Sequence, residues 1–217
     1  NETAFLPHGR GWVLAVGLGK AKDLSHDTMR QFPATATRTV RARNHTSLSL
    51  PVLKERGLGS PEAVAQALAE GVLLGLYRYE RLREVPKEDR TKRMEAVTLV
   101  VERAGEAAPA RRGVAKADVL AEAVNLARDL INGPANLVTP TVLANEARRI
   151  ARRYRLRCQV TPFAQLKRQG FGGIVGVGQG STHPAQFIVL EYRPARAKAT
   201  FALCGKGITF DSGGLSL

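Results

Sequence analysis

Between residues 47 and 101 the hydrophobic period of the sequence changes twice, and no other feature narrows the fold as much. Residues 47–53, Ser-Leu-Ser-Leu-Pro-Val-Leu, alternate at period two, which is a strand pattern. Pro51 points to a sheet edge, because proline cannot donate to a ladder. Residues 62–83 then switch to a helical period, with Val64, Leu68, Val72, Gly75, Tyr79 and Leu82 three or four apart on one stripe. Residues 95–101, Glu-Ala-Val-Thr-Leu-Val-Val, return to β-rich composition. Strand, helix and strand in that order predict an α/β domain on a largely parallel sheet. The apolar run Trp12–Leu18, broken by Gly17, adds an earlier buried strand.

The second half repeats the alternation. Residues 103–116 carry Gly105, Pro109, Gly113 and the pair Arg111–Arg112 among few large apolar groups, the composition of a linker. A helix follows with Val119, Ala123, Leu126 and Leu130 on one face, ended by Gly133 and Pro134. Thr139-Pro140 opens another to about Tyr154, with Leu143, Ala147, Ile150 and Tyr154 as its buried stripe. Residues 156–160 are a strand candidate, 163–169 a short helix and 170–180 a glycine-rich segment. Residues 186–192 and 199–204 read as adjacent buried strands. The expected fold class is thus α/β. A small N-terminal α/β domain with a mixed sheet occupies 1–115, a linker helix 116–131, and a second α/β unit begins at 132 and runs to 217.

Charge and cysteine content bound the setting. The net charge of +14 is uneven, with +9 of it in residues 140–217. Such an excess suits an anionic partner, or acidic residues lying outside these 217. Cys158 and Cys204 form no disulfide framework, and both sit in apolar runs, so buried free thiols are expected. No stretch approaches the roughly 20 apolar residues of a membrane helix. No charged-then-apolar leader opens the chain, whose first residue is Asn1 rather than Met. Together these predict a reducing cytoplasm and no membrane partner.

The last apolar run leads directly into Gly205-Lys-Gly-Ile-Thr-Phe-Asp-Ser-Gly-Gly214. In open α/β sheets, sites form at the carboxyl ends of strands. Here Lys206 and Asp211 lie among four glycines that permit tight turns and close backbone approach. Asp211 can supply hard oxygen ligands to a divalent ion. A phosphate loop is excluded, because Gly-Lys is followed by Gly207 where Ser or Thr is required. Gly176-x-Gly178-x-Gly180 likewise lacks the spacing of a dinucleotide loop. His8, His26, His45 and His183 show no metal-ligand spacing.

Residues Gly205–Gly214 closely resemble the signature of the leucyl aminopeptidases, the cytosol aminopeptidase family. Asn132-Gly-Pro-Ala-Asn-Leu-Val-Thr-Pro140 resembles that family's entry into its catalytic domain. Gly176-Val-Gly-Gln-Gly-Ser181 and Ile188-Val-Leu-Glu-Tyr192 match in order and approximate spacing, and Val13–Gly19 and Glu70–Tyr77 match more loosely. The resemblance implies a metal-dependent aminopeptidase that removes N-terminal, leucine-type residues from peptides with two zinc or manganese ions, and that assembles as a homo-hexamer. It makes Lys206 a ligand of one ion and Asp211 a ligand of both. The family's catalytic lysine is expected directly after Leu217, with the remaining carboxylate ligands and a supporting arginine further on. The second domain is therefore expected to be cut through its central sheet, and the 217 residues alone to be inactive.

A lysine that ligates metal must be neutral. From a free pKa of about 10.4 this takes a shift of over ~3 units, roughly 4–5 kcal/mol at pH 7, which only a preformed metal site can supply. The alternative function is DNA binding, in an architectural or regulatory role on the same fold. Some family members bind DNA, and Arg148, Arg149, Arg152, Arg153, Arg155 and Arg157 make a basic face. No aromatic residues interleave with them as a single-strand platform would need, and a solvated helix face is the expected reading.

Overall fold

The computed structural model describes residues 2–55, 57–82, 84 and 92–210. They fall into two compact units, one ending at Asp129 and one beginning at Leu130.

In the first unit, β1 (Thr3–His8) and β2 (Gly11–Val16) form an antiparallel hairpin through Gly9, which takes a positive φ of 55°. α1 (His26–Ala42) follows a capping box in which Ser25 and Thr28 exchange hydrogen bonds. β3 (Ser47–Pro51) pairs in parallel with β4 (Ala96–Val100), so the period-two runs are strands as their pattern predicts. Between them α2 (Pro61–Gly75) starts at Ser60, whose hydroxyl accepts from the Ala63 N–H, with Pro61 at the first helical position.

α2 is buried on several sides at once, because Val64, Leu68 and Val72 belong to the core together with Ala65 and Ala67. Met29, Phe32 and Ala36 of α1 and Leu50 of β3 complete it. Each fully buried large apolar side chain contributes about 1.5–3 kcal/mol. The helix ends before the expected Tyr79 and Leu82. Arg128 and Arg41 donate to the carbonyls of Leu74 and Leu76 and so satisfy its terminal acceptors.

Two findings change the reading of residues 103–131. α3 spans Ala107–Asn132, so the segment with linker composition is mostly helix. Pro109 is tolerated in the first turn. Gly113 is a packing residue, since a Cβ there would meet the backbone of Glu62 and Gln66 in α2. The buried stripe of α3 is Ala110, Gly113, Ala117 and Ala121, whereas Val119 and Ala123 face solvent. The small residues win the inner face because α2 lies too close for larger ones.

The second unit packs α4 (Pro140–Tyr154) against an antiparallel pair, β5 (Arg157–Pro162) and β6 (Gln186–Glu191). Thr139 caps α4 and Arg155 ends it in the left-handed conformation. Its buried stripe is Ala144, Ala147 and Ala151, and the expected Tyr154 is exposed. α5 (Phe163–Arg168) is followed by α6 (Gly172–Gly178), a helix within the glycine-rich segment. No strand forms at 199–204 among the described residues: Phe201 and Leu203 are exposed, and so is Cys204, while Cys158 is half-buried. A lone extended run has no ladder partner for its backbone groups, so its composition cannot make it a strand. The sheets are three separate pairs, one of them parallel, so a largely parallel sheet does not occur among the described residues.

A Cβ on Gly71 would strike the Arg30 carbonyl of α1, and one on Gly75 would lie 2.6 Å from the Ala34 Cα. Gly71→Ala is therefore expected to lower unfolding stability by about 1–3 kcal/mol, measurable by urea denaturation. Glu62 of α2 accepts from Lys116 at 2.6 Å and Arg112 at 2.8 Å, both on α3, and these bonds hold its carboxyl below the usual range. Because folding lowers that pKa, the contribution is complete above the ordinary carboxylate range and fades as pH falls through the lowered value. Glu62→Gln is expected to lower stability at neutral pH, where the contribution is complete, and to cost progressively less in acid, so that the acid limb of a stability-versus-pH curve flattens.

Candidate metal-ligand segment

Lys206 lies in the described segment 192–210, which runs on from β6 without regular structure apart from a turn at 195–196. Gly205 and Gly207 flank it. The segment passes α4, where a Cβ on Gly207 would come 3.8 Å from the Leu143 Cδ1. The Lys206 side chain is exposed. Asp211 lies outside the described residues, as does the rest of the motif to Leu217. The structure thus places one of the two sequence-predicted ligands, Lys206. The expectation that Lys206 follows directly on a strand is corrected, since the nearest preceding strand, β6, ends at Glu191.

Among the described residues no three His, Cys, Asp or Glu side chains gather as a metal site would require. The histidines have other surroundings. The His26 Nε2 lies 2.6 Å from the Leu58 carbonyl, and His45 stacks on Phe5. The Lys206 amine is open to solvent rather than enclosed by other groups, as a metal ligand would be. The described residues alone therefore do not fit a two-metal centre. What they provide is one nitrogen donor on a glycine-flanked segment that can approach other groups closely.

The basic face is exposed along α4 and into β5. Arg149 forks onto Glu146 and holds that carboxyl below its usual range, and Arg148 bonds the Asn145 amide oxygen. Arg157 lies 3.7 Å from Glu191, and the Arg153 guanidinium sits over the Tyr154 ring. Positive charge on a solvated helix face is all that speaks for nucleic acid. No described helix is long and apolar enough to cross a membrane.

One feature of the first unit escaped sequence reasoning. A cavity lies between β2 and β3, with Trp12 and His45 at its rim. Its only sequence signal is the single tryptophan, placed between glycine and valine.

Comparison with known proteins places both halves. Residues 2–86 match the N-terminal domain of the cytosol aminopeptidase family, and residues 125–217 match that family's catalytic domain. A probable cytosol aminopeptidase of Roseiflexus castenholzii is 42% identical over 210 residues, covering 94% of this chain and 42% of that protein. A variant of tomato leucine aminopeptidase superposes with a TM-score of 0.83 at 28% identity, covering 98% of this chain and 42% of the other. The bottromycin maturation enzyme BotP in complex with Mn superposes with a TM-score of 0.75 at 34% identity, covering 89% and 40%. The chain thus spans about two-fifths of the length of the relatives it matches.

Exposure makes a direct prediction for Lys206. Acetic anhydride at limiting concentration should acetylate it in the 217-residue chain as fast as exposed Lys198, and added manganese should not slow the reaction. Mass spectrometry of the labelled peptides reads both rates.

Proposed function

The chain belongs to the cytosol aminopeptidase family, and from that premise we propose that the whole protein is a cytoplasmic two-metal aminopeptidase that removes leucine-type residues from the N-termini of peptides. The observation that carries this reading is the Gly205–Gly214 motif inside the part matched by the catalytic-domain model. We read residues 1–115 as a front domain, 116–131 as a connecting helix within α3, and 132–217 as the start of the catalytic domain.

In this reading the Lys206 amine ligates one divalent ion and the Asp211 carboxylate contacts both. The ions are zinc or manganese, in keeping with the manganese complex of the structural relative. Bound together, such ions lower the pKa of a shared water and polarise a scissile carbonyl. Lys206 must be neutral in the complete site, so groups beyond the described residues have to bury it and the ions have to share its surroundings. The glycines at 205 and 207 let the backbone come close enough for that. Preference for a free N-terminus follows if the substrate's α-amine takes a coordination position. The catalytic lysine lies after Leu217 in this scheme, and the working assembly is a homo-hexamer.

The test compares two proteins. The 217-residue chain, given leucine-p-nitroanilide and manganese, should show negligible turnover, because two ligands cannot hold two ions. In the full-length protein, Lys206→Ala and Asp211→Asn should each lower kcat/KM by more than about a hundredfold, as loss of metal affinity or activity at such a site demands. Full activity in the 217-residue chain, or in either variant, would refute the assignment.

A further inference from the structure

Beside the crossing of α1 and α2 runs a groove of about 430 Å3. Gly71 and Gly75 of α2 and Ala34 of α1 line it, and the helices approach too closely at the two glycines for a side chain to stand there. Three guanidiniums border the groove: Arg30 and Arg38 from α1, and Arg128 from α3. Among the described residues no carboxylate and no aromatic ring lines it. Three like charges around one concavity, with no acid among them, need an explanation, because charges of one sign repel unless a counter-charge joins them.

The protein supplies little of that counter-charge. Glu70 accepts from the Arg30 Nε on one carboxylate oxygen and from the Gln66 amide on the other, so both its oxygens are engaged. Arg30 keeps its two terminal nitrogens. Arg128 donates through Nη1 to the Leu74 carbonyl at 3.0 Å and the Asn125 amide oxygen at 3.4 Å, and lies over the Tyr77 ring. All of its partners are uncharged. Arg38 has no hydrogen bond or ion pair among the described residues. The crowding of positive charge is felt by Arg41, three residues on. Burial first, and then the charge of Arg78, hold Arg41 below the usual arginine value, with Glu80 opposing and Arg38 adding to the effect. Arg30 and Arg128 are thus fixed by one edge each, which prepares the rest of each guanidinium for a ligand at little cost in side-chain entropy.

We propose that this groove binds a small multivalent oxyanion, a polyphosphate or a di- or tricarboxylate, between Arg30, Arg38 and Arg128. The planar guanidinium fork matches the oxygens of phosphate and carboxylate groups, and such charge-assisted bonds are about twice as strong as neutral ones. Arg30 and Arg38 stand two turns apart on α1, about 12 Å along its axis. An anion with two heads therefore uses guanidiniums that a single head leaves idle. Thr35, also on the wall, offers a neutral hydroxyl donor. Without an aromatic ring the groove has no platform for a base, so the ligand is recognised by its anionic groups and not by a stacked ring. The groove lies wholly within the first unit, so its occupancy can be measured whatever becomes of the metal-ligand assignment.

Isothermal titration calorimetry of the full-length protein with pyrophosphate and, separately, with citrate tests the proposal. Both probes also chelate metal ions, so the readout is the difference between variants, which chelation does not move. Arg38→Gln should weaken binding of the favoured probe at least about tenfold. It should leave the melting temperature unchanged, because Arg38 has no partner to lose. Arg38→Lys keeps the charge without the fork and should recover part of the loss. Arg111→Gln removes the same charge from an exposed site of α3 outside the groove, and should change affinity less than about twofold. Tighter binding of pyrophosphate makes phosphate the ligand class, and tighter binding of citrate makes it carboxylate. An Arg38→Gln protein that binds both probes as tightly as the parent would overturn the proposal. So would equal weakening by Arg38→Gln and Arg111→Gln, which would reduce the effect to net charge, or no binding of either probe below about 10 mM.

Discussion

The close approach of α1 and α2 sets the arrangement of the first unit. Gly71 and Gly75 leave no room for a side chain between the helices, so α2 lies directly against the α1 backbone. Gly113 repeats the device between α2 and α3. With two helices at that distance, α2 buries residues around most of its circumference, including the Glu70 carboxylate. That carboxylate is held by the Arg30 guanidinium at 2.5 Å and the Gln66 amide at 2.8 Å. A charge so deeply placed is tolerated only because both partners reach it.

The same glycines explain what the sequence concealed. Where periodicity came from large side chains facing one way, it was legible: β3, β4, β6 and the start of α4 lie where their patterns predict. Small residues on an inner face carry no such signal. Ala110, Gly113, Ala117 and Ala121 read as a linker and the first turns of a helix, yet they form the packed side of α3. The expected face began at Val119 and Ala123, and both of these are exposed. On α4 the buried stripe is again alanine, one position away from the larger residues that suggested it.

The expected strand at 199–204 failed for a different reason. Its composition is strand-like, but a strand exists only in a ladder, and no neighbour pairs with it among the described residues. The candidate site inherits this. Its motif was legible in the sequence because chemistry fixes residue types and spacing, whereas its geometry depends on groups that must surround Lys206. In the described residues Lys206 stands in solvent, and a metal-ligating amine needs the opposite surroundings.

The central claim is that Lys206 and Asp211 are two ligands of a two-metal centre that these residues do not complete. Metal content measured after gel filtration, by mass spectrometry of the eluted protein, addresses it most directly. The full-length protein should retain about two zinc or manganese ions per chain. Asp211→Asn should lose most of them, and the 217-residue chain should retain almost none. Two ions per chain held by the 217 residues, or by the Asp211→Asn protein, would contradict the account.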